Sequence, residues 1–393
     1  MPFCSFGGTQ QINASPRNCY VTGIGATGSG STPTVEDVSE LVAVAGVFSK
    51  FTVYITTNPT SVSETVRPLF DWVDGNQVVS IGAGLTGRFT DEANTDTITA
   101  NTKMSVSASR SGGVTYTPNN ITMLFTPSSD FANFTHSHTL GATVGSARYF
   151  PIRSNGSAFS EASDATVQHK VRIACTWRGL SAGRNSAADV ANTYRSRKNG
   201  ANGTQVVTIG AGLTGRFTDT THTDSLAIDD LINYSQDSAT DVSAGTGLTT
   251  TFVTTEDSYD LAYALSTKSS GTSFYYNLSR TTGNTDEAAS SNRFLVPKKV
   301  TNLRVRIPTN TLGASEIRVR KNEANGNGLL SIGASLTGWF EDTTNEDAFN
   351  VTDDFCLHWN STTGTAATEP YFGITVKEGV AAAVARSQVM MMG

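Results

Sequence analysis

The sequence predicts an all-β chain built from three tandem β-sandwich units, and three observations predict it. The first is an internal repeat. Ile-Gly-Ala-Gly-Leu-Thr-Gly-Arg-Phe-Thr-Asp occurs twice without change, at Ile81–Asp91 and Ile209–Asp219. A degenerate copy, with Ser335, Trp339 and Glu341 as its only differences, runs from Ile332 to Asp342. The copies lie 128 and 123 residues apart, longer than the ~20–50 residues of a solenoid repeat and close to the commonest size of a domain. The second is period-two alternation of apolar and polar residues, which sets one face of a strand on a core and the other in water. The third is composition. Charged residues make up 16% of the 393 residues, against the usual ~25%, and 36 glycines with many Thr, Ser and Asn punctuate short β-rich runs. Units at 1–130, 131–262 and 263–393 follow from the repeat.

Within each unit the elements recur in one order. An aromatic strand opens it: Cys19-Tyr20-Val21, Tyr149-Phe150-Pro151 or Tyr275-Tyr276-Asn277. An alternating strand follows. Phe51, Val53 and Ile55 share one face in the first unit; Val171, Ile173, Cys175 and Trp177 do so in the second, and Leu303, Val305 and Ile307 in the third. The turns Lys198-Asn199-Gly200 and Lys321-Asn322-Glu323 precede the repeated motif in units two and three. The motif reads as a glycine-permitted bend between strands, with Leu85, Leu213 and Leu336 and Phe89, Phe217 and Phe340 as core anchors. A closing strand lies further on, at Ile121–Phe125, Thr249–Val253 and Phe372–Val376. Unit two carries a longer segment, Arg178–Tyr194, before its motif, and extra loop length is where function can sit. Only Glu36–Val44 and Val380–Val389 look helical. About eight short strands fit each unit, which points to jelly-roll-like sandwiches.

The motif also matches G-x-G-x-x-G at Gly82–Gly87 and Gly210–Gly215. A dinucleotide site needs a helix directly after it. Here a Thr/Asn/Asp turn follows, and the third copy replaces the middle glycine by Ser335, so a nucleotide is not expected. Acids stand at fixed offsets behind the motif: Asp91 and Asp96, Asp219 and Asp224, Asp342 and Asp347, with Asp230 and Asp353 beyond. Such residues bind their own backbone in turns; clustered, they also hold calcium. The turn role is the expected one. Their triplication argues against a glycosidase pair.

His136-Ser137-His138 is the sharpest local signal. On a strand the two imidazoles share a face, and three chains round a threefold axis would supply six ligands to a metal ion. The plain alternative is a polar strand between units one and two. His169, His222 and His358 share no position, and neither G-x-S-x-G nor H-E-x-x-H occurs, so no catalytic residues are assigned and no enzyme is expected. Cofactors are not expected, apart from a structural metal ion at His136 and His138. Among the four cysteines there is no C-x-x-C. Cys175 and Cys356 read as small buried hydrophobes, and Cys4 with Cys19 as a candidate pair. Tyr194, Trp72 and Trp339 suit either a sugar site or a core.

A net charge of −6 disfavours nucleic acid as the main partner. Lys298, Lys299, Arg304, Arg306, Arg318 and Arg320 form a basic stripe, read as the solvated outer face of two neighbouring strands or, alternatively, a docking patch for an acidic neighbour or an anionic glycan. The start Met-Pro-Phe-Cys-Ser-Phe lacks the pattern of a secretory signal, and no run approaches ~18 apolar residues, so a membrane partner is not expected.

The blocks Val79–Asp96, Val207–Asp224 and Leu330–Asp347, with their Thr/Asp tails, resemble the tandem β-sandwich proteins of tailed bacteriophage particles: tail fibres, baseplate appendages and capsid-surface fibres. The chain departs from them in having no coiled-coil or triple-β-helix shaft. The resemblance implies a homotrimer packed round a common axis, contacts with other virion proteins, and a structural or host-attachment role in which a host glycan is the candidate ligand. Residence in the virion follows from the resemblance, and assembly in the host cytoplasm is the expectation from the missing signal and membrane-span patterns.

Overall fold

A computed structural model describes residues 3–6, 17–19, 40–58, 60–108, 117–128, 131–139, 147–152, 154–155, 163–184, 187, 189–237, 246–255, 258–264, 267–269, 273–276, 285–361, 363–368 and 370–379. The described residues form β-strands and two single-turn 3-10 segments. Among the described residues every strand pair falls inside one of three groups, within 3–127, 131–254 or 258–378, and all but one short pair are antiparallel.

The strand order is the same in each group. In the first, one sheet runs Phe3–Phe6, Thr117–Pro127, Gly46–Thr57, Gly87–Ile98. The other runs Arg17–Cys19, Thr102–Ala108, Glu64–Phe70, with Val79–Ile81 on the last. Numbered along the chain, eight strands take the orders 1-8-3-6 and 2-7-4-5, the two sheets of a jelly roll. The third group repeats this with Ser258–Ala264, Tyr371–Glu378, Lys298–Ile307 and Gly338–Phe349 against Phe274–Tyr276, Asp354–Ser361, Ser315–Lys321 and Ala324–Ile332. The second does so too, its sixth strand divided into Gly215–Thr218 and Thr223–Leu226. The chain is therefore all-β and jelly-roll-like.

Alternation supplies each core. Val305 and Ile307 meet Ile317, Val319, Leu330 and Ile332 from the facing sheet, around Trp359 and Phe372. Phe48, Phe51 and Val53 meet Val66 and Val106 in the first group, and Trp177, Leu180 and Ala182 meet Tyr194 and Tyr234 in the second.

Three local devices recur. The hairpin between the fourth and fifth strands turns on two residues with positive φ: Asn199 (51°) and Gly200 (78°), Asn322 (50°) and Glu323 (63°), and Asp71 (47°) and Trp72 (73°). Two positive φ values match the right-handed twist of a hairpin. Each first residue ties back across the sheet, as where Leu231 N donates to Asn199 Oδ1 at 2.8 Å and Lys103 N to Asp71 Oδ1 at 2.9 Å. A bulge interrupts the third strand at Lys50 (φ 54°), Gly179 (φ 70°) and Asn302 (φ 50°). A short edge segment lies beside the seventh strand at Glu40–Val42, His169–Lys170 and Asn292–Arg293.

Several expectations change. Glu40–Val42, inside the segment that looks helical, is a strand; Val380–Val389 lies outside the described residues. The alternating strand of the second group is Cys175–Arg184, so 171–174 precede it and Arg178–Arg184 belong to the sheet rather than to an insertion. Leu180 there takes the place of Phe51 and Leu303, because the Gly179 bulge resets the alternation.

Candidate functional site

The repeated motif forms the turn between the fifth and sixth strands. Val79–Ile81 ends on a buried Ile81, and Gly87–Ile98 begins the next strand. Gly84 (φ 68°), Gly212 (φ 71°) and Ser335 (φ 57°) hold the left-handed conformation at its tip. No helix follows, so the turn cannot present a helix N-terminus to a phosphate.

The three leucines are not core anchors. Leu85, Leu213 and Leu336 are 53%, 49% and 52% exposed. Each folds back over the first glycine of its own turn, where a Cβ on Gly82 would sit 2.8 Å from Leu85 Cδ1. The turn's reversal brings the leucine onto its own backbone, which sequence periodicity does not reveal. Phe89, Phe217 and Phe340 are partly buried and do pack on the cores.

The acids behind the turn bind backbone. Asp91, Asp219 and Asp342 each accept an N–H in the fifth strand or just before it: Val78 at 2.8 Å, Val206 at 2.9 Å and Leu329 at 2.9 Å. Each also takes the N–H groups of the two residues at i+2 and i+3. Asp96, Asp224 and Asp347 bind further back along the same segment, at Asn76 N (2.5 Å) ahead of the fifth strand and at Thr204 N (2.7 Å) and Asn327 N (2.7 Å) within it. Room for them comes from Gly75, Gly203 and Gly326, where a Cβ would meet the carboxylate at 2.9, 2.7 and 2.7 Å. Gln77 and Gln205 extend the network by accepting Phe51 N and Leu180 N beside the bulge.

Burial alone would raise the Asp219 carboxyl, but N–H donors from Val206, His222 and Thr221 outweigh it and hold the group at about 2. Burial likewise opposes ionisation of Asp91, Asp224 and Asp342, and their donors outweigh it and lower them, led by the Asn94 side chain, the Ser196 hydroxyl and the Leu329 N–H respectively. Asp230 and Asp353 cap a neighbouring loop, bound to Asn199 and Asn322. These carboxylates fasten strands, and among the described residues no cluster of three metal-binding side chains is found.

His136 and His138 lie two apart on Phe131–Thr139, opposite Thr249 and Gly247. Their side chains, and with them the expected metal site, lie outside the described residues, as do those of Cys4 and Cys19. Tyr194 is a core residue. Trp72 is partly exposed beneath Lys103, whose Nζ lies 5.4 Å from the ring centroid. Cys356 is buried and Cys175 half-buried, and burial pushes the Cys175 thiol up to about 12. An open groove of about 430 Å³ in the third group is lined by Ser315, Glu316, Ser331, Asn360 and Ser361, with no aromatic wall.

The basic stripe is not one solvated face. Arg318 and Arg320 lie in the opposite sheet from Lys298–Arg306, and Arg320 is held by Glu287 at 2.8 Å. Lys298 and Arg304 are buried, at 1% and 0% exposure. Arg304 fills a slot that Gly373 leaves open, and sits where the second and third groups meet. Its Nη2 lies 3.3 Å from Asp260 Oδ2 and 3.3 Å from His169 Nε2. Asp260 also accepts Arg172 N at 2.6 Å and Thr375 Oγ1 at 2.7 Å. Lys170 Nζ meets Glu341 Oε1 at 2.7 Å and lies over the Trp339 ring, and Arg172 pairs with Glu341 and Asp229.

The other two joints use corresponding positions. Leu295, just past the edge segment Asn292–Arg293, accepts Lys50 Nζ at 3.2 Å through its carbonyl, while Arg88 meets Asp354 at 3.4 Å. Ala43, just past Glu40–Val42, faces Gly179, where a Cβ would lie 2.9 Å from Ala43 Cβ. Val253 of the second group joins the first core beside Val42 and Val44. So the edge segment of each group abuts the bulged strand of the next: first on second, second on third, third on first.

No family model matches the chain, and no curated protein matches it. Among solved structures it is similar to one described as "The Triple Jelly Roll Fold and Turret Assembly in an Archaeal Virus". That likeness spans 95% of this chain and 90% of that one, at 12% identity and a TM-score of 0.21. At that score it bears no weight, and the fold rests on the strand orders above.

Proposed function

We propose that this chain is a non-enzymatic structural component of a bacteriophage particle. In this reading it consists of three copies of one jelly-roll domain that close into a ring within a single chain. The observation that carries it is the set of three corresponding joints. A head-to-tail interface whose rotation closes makes a ring, and one that does not makes a filament. The threefold arrangement expected between chains is then present inside one. Further support comes from the shared polar residues: the aspartates common to all three groups are engaged in fastening strands, as in a scaffold.

Light scattering tests the ring. The expected mass is that of one chain, 41.5 kDa, unchanged by chelator. A mass of about 125 kDa, three times that of the chain, would overturn it in favour of the homotrimer, and its loss on chelation would implicate His136 and His138. The virion role is tested by density-gradient purification of particles from the source. The chain is expected in them at fixed copy number, and its absence rejects the role. A second reading, attachment to a host glycan, is favoured by the polar groove at Glu316 and Asn360. Glycan-array binding that Asn360→Ala abolishes would select it.

A further inference from the structure

We infer that the joint between the second and third groups is a proton-gated latch: uptake of one proton by His169 expels its edge segment from beside Arg304 and opens the ring there.

The argument begins with hydrogen-bond direction. A guanidinium has donors and no acceptor. Arg304 Nη2 lies 3.3 Å from His169 Nε2, so the imidazole nitrogen must offer a lone pair. The closed joint therefore holds the neutral imidazole. A proton on Nε2 turns the contact into donor against donor and cation against cation.

The surroundings give that charge no outlet. His169 is 6% exposed and Arg304 fully buried. The edge segment brings Lys170 and Arg172, and the strand Lys298–Ile307 brings Arg304. Two carboxylates face them, and both are engaged. Asp260, on Ser258–Ala264, is held by Arg304, Arg172 N and Thr375 of the strand Tyr371–Glu378. Glu341, on Gly338–Phe349, is held by Lys170 and Arg172. Asp229 pairs with Arg172 at the rim, 63% exposed at its side chain. Behind His169, on Leu231–Asp237, its partner is Ile232. Burial first, then Arg304 and Arg172, hold the imidazole well below its ordinary 6.5.

The other joints lack this group. The corresponding residues are Glu40 and Asn292, read from the shared pairing beside the seventh strand. Neither acquires positive charge on acidification.

The sign follows from linkage. The closed joint binds no proton on His169, whereas the open joint exposes an imidazole of ordinary pKa ~6.5. Latch stability is fully present above that value and falls as pH drops below it. The opening constant is nearly flat above pH ~6.5 and rises towards tenfold per pH unit below it, which gives about 30-fold between pH 7.5 and 5.0.

Hydrogen exchange on the intact chain, corrected for intrinsic rates, reads this directly. Peptides covering 167–173 and 298–307 are expected to exchange about 30-fold faster at pH 5.0 than at pH 7.5, following that linkage. Those covering 42–48 and 292–297 are expected to stay unchanged. His169→Gln keeps an acceptor for Arg304 without a titrating group, and should flatten the response. If that variant does not fold, His169→Asn serves the same comparison. A flat wild-type profile overturns the latch, and so does an unaltered pH response in the folded variant. Neither result depends on whether the chain belongs to a virus particle.

Discussion

At the scale of single residues, the buried aspartates make the firmest claims. Asp219 has a folded pKa of about 2 against the ordinary 3.8, and its side chain is 4% exposed. A depressed carboxyl contributes stability above its unfolded value and loses it as pH falls towards the folded one. Asp219→Ala is expected to cost about 2 kcal/mol at pH 7, with the deficit vanishing near pH 2, as urea denaturation at a series of pH values would show. Gly203→Ala tests the space beside its neighbour, since the new Cβ would lie 2.7 Å from the Asp224 carboxylate. The Ser196 hydroxyl, closer still to that Cβ, and the carboxylate it donates to must shift apart from it, at a cost of about 1–3 kcal/mol measured by the same denaturation. Sequence offsets marked these aspartates as turn residues. They did not show that the carboxylates cross to the fifth strand, because that contact joins positions 13 and about 20 residues apart.

At the scale of elements, alternation identified the strands that alternate cleanly and misplaced one that does not. The closing strands fall inside Thr117–Pro127, Thr246–Thr254 and Tyr371–Glu378. In the second group Val171–Trp177 also alternates, and this concealed the true strand, whose pattern is broken at Gly179 (φ 70°). The hairpin turn of the first group was equally hidden, for Asp71-Trp72 carries neither Asn-Gly nor Asp-Gly. The motif turn has its own test. Ser335 holds φ 57° where the other groups have glycine. Ser335→Gly is expected to raise the thermal midpoint, corresponding to a gain of up to about 1 kcal/mol from relief of left-handed strain. Gly84→Ala, at φ 68°, should lose about as much.

At the scale of the whole molecule, burial decided what charge counts did not. Arg304 stands on an alternating strand among lysines and arginines, and sequence alone assigns it to solvent. What buries it is Asp260, 44 residues earlier, together with an edge segment more than a hundred residues away. Such contacts leave no local trace. Breaking a buried pair by removing one partner strands the other charge. Arg304→Ala is therefore expected to destabilise the chain by about 3–5 kcal/mol in calorimetry or denaturant melts. The two histidines that drew attention in the sequence have their side chains outside the described residues, whereas His169, which shared no recognisable pattern, lies at the most heavily charged joint.

The bulge on each third strand has a consequence for neighbouring copies of the chain. Lys50, Gly179 and Asn302 mark one half of a mating pair, and the edge segment is the other half. A closed chain satisfies all of these halves internally and offers none to its neighbours. Release of any one joint would leave an arc with an unmated plug at one end and an unmated socket at the other. Because the two are complementary, arcs at high concentration would add end to end into open filaments. Damage at a joint would then register as concentration-dependent fibre growth before any loss of β-structure.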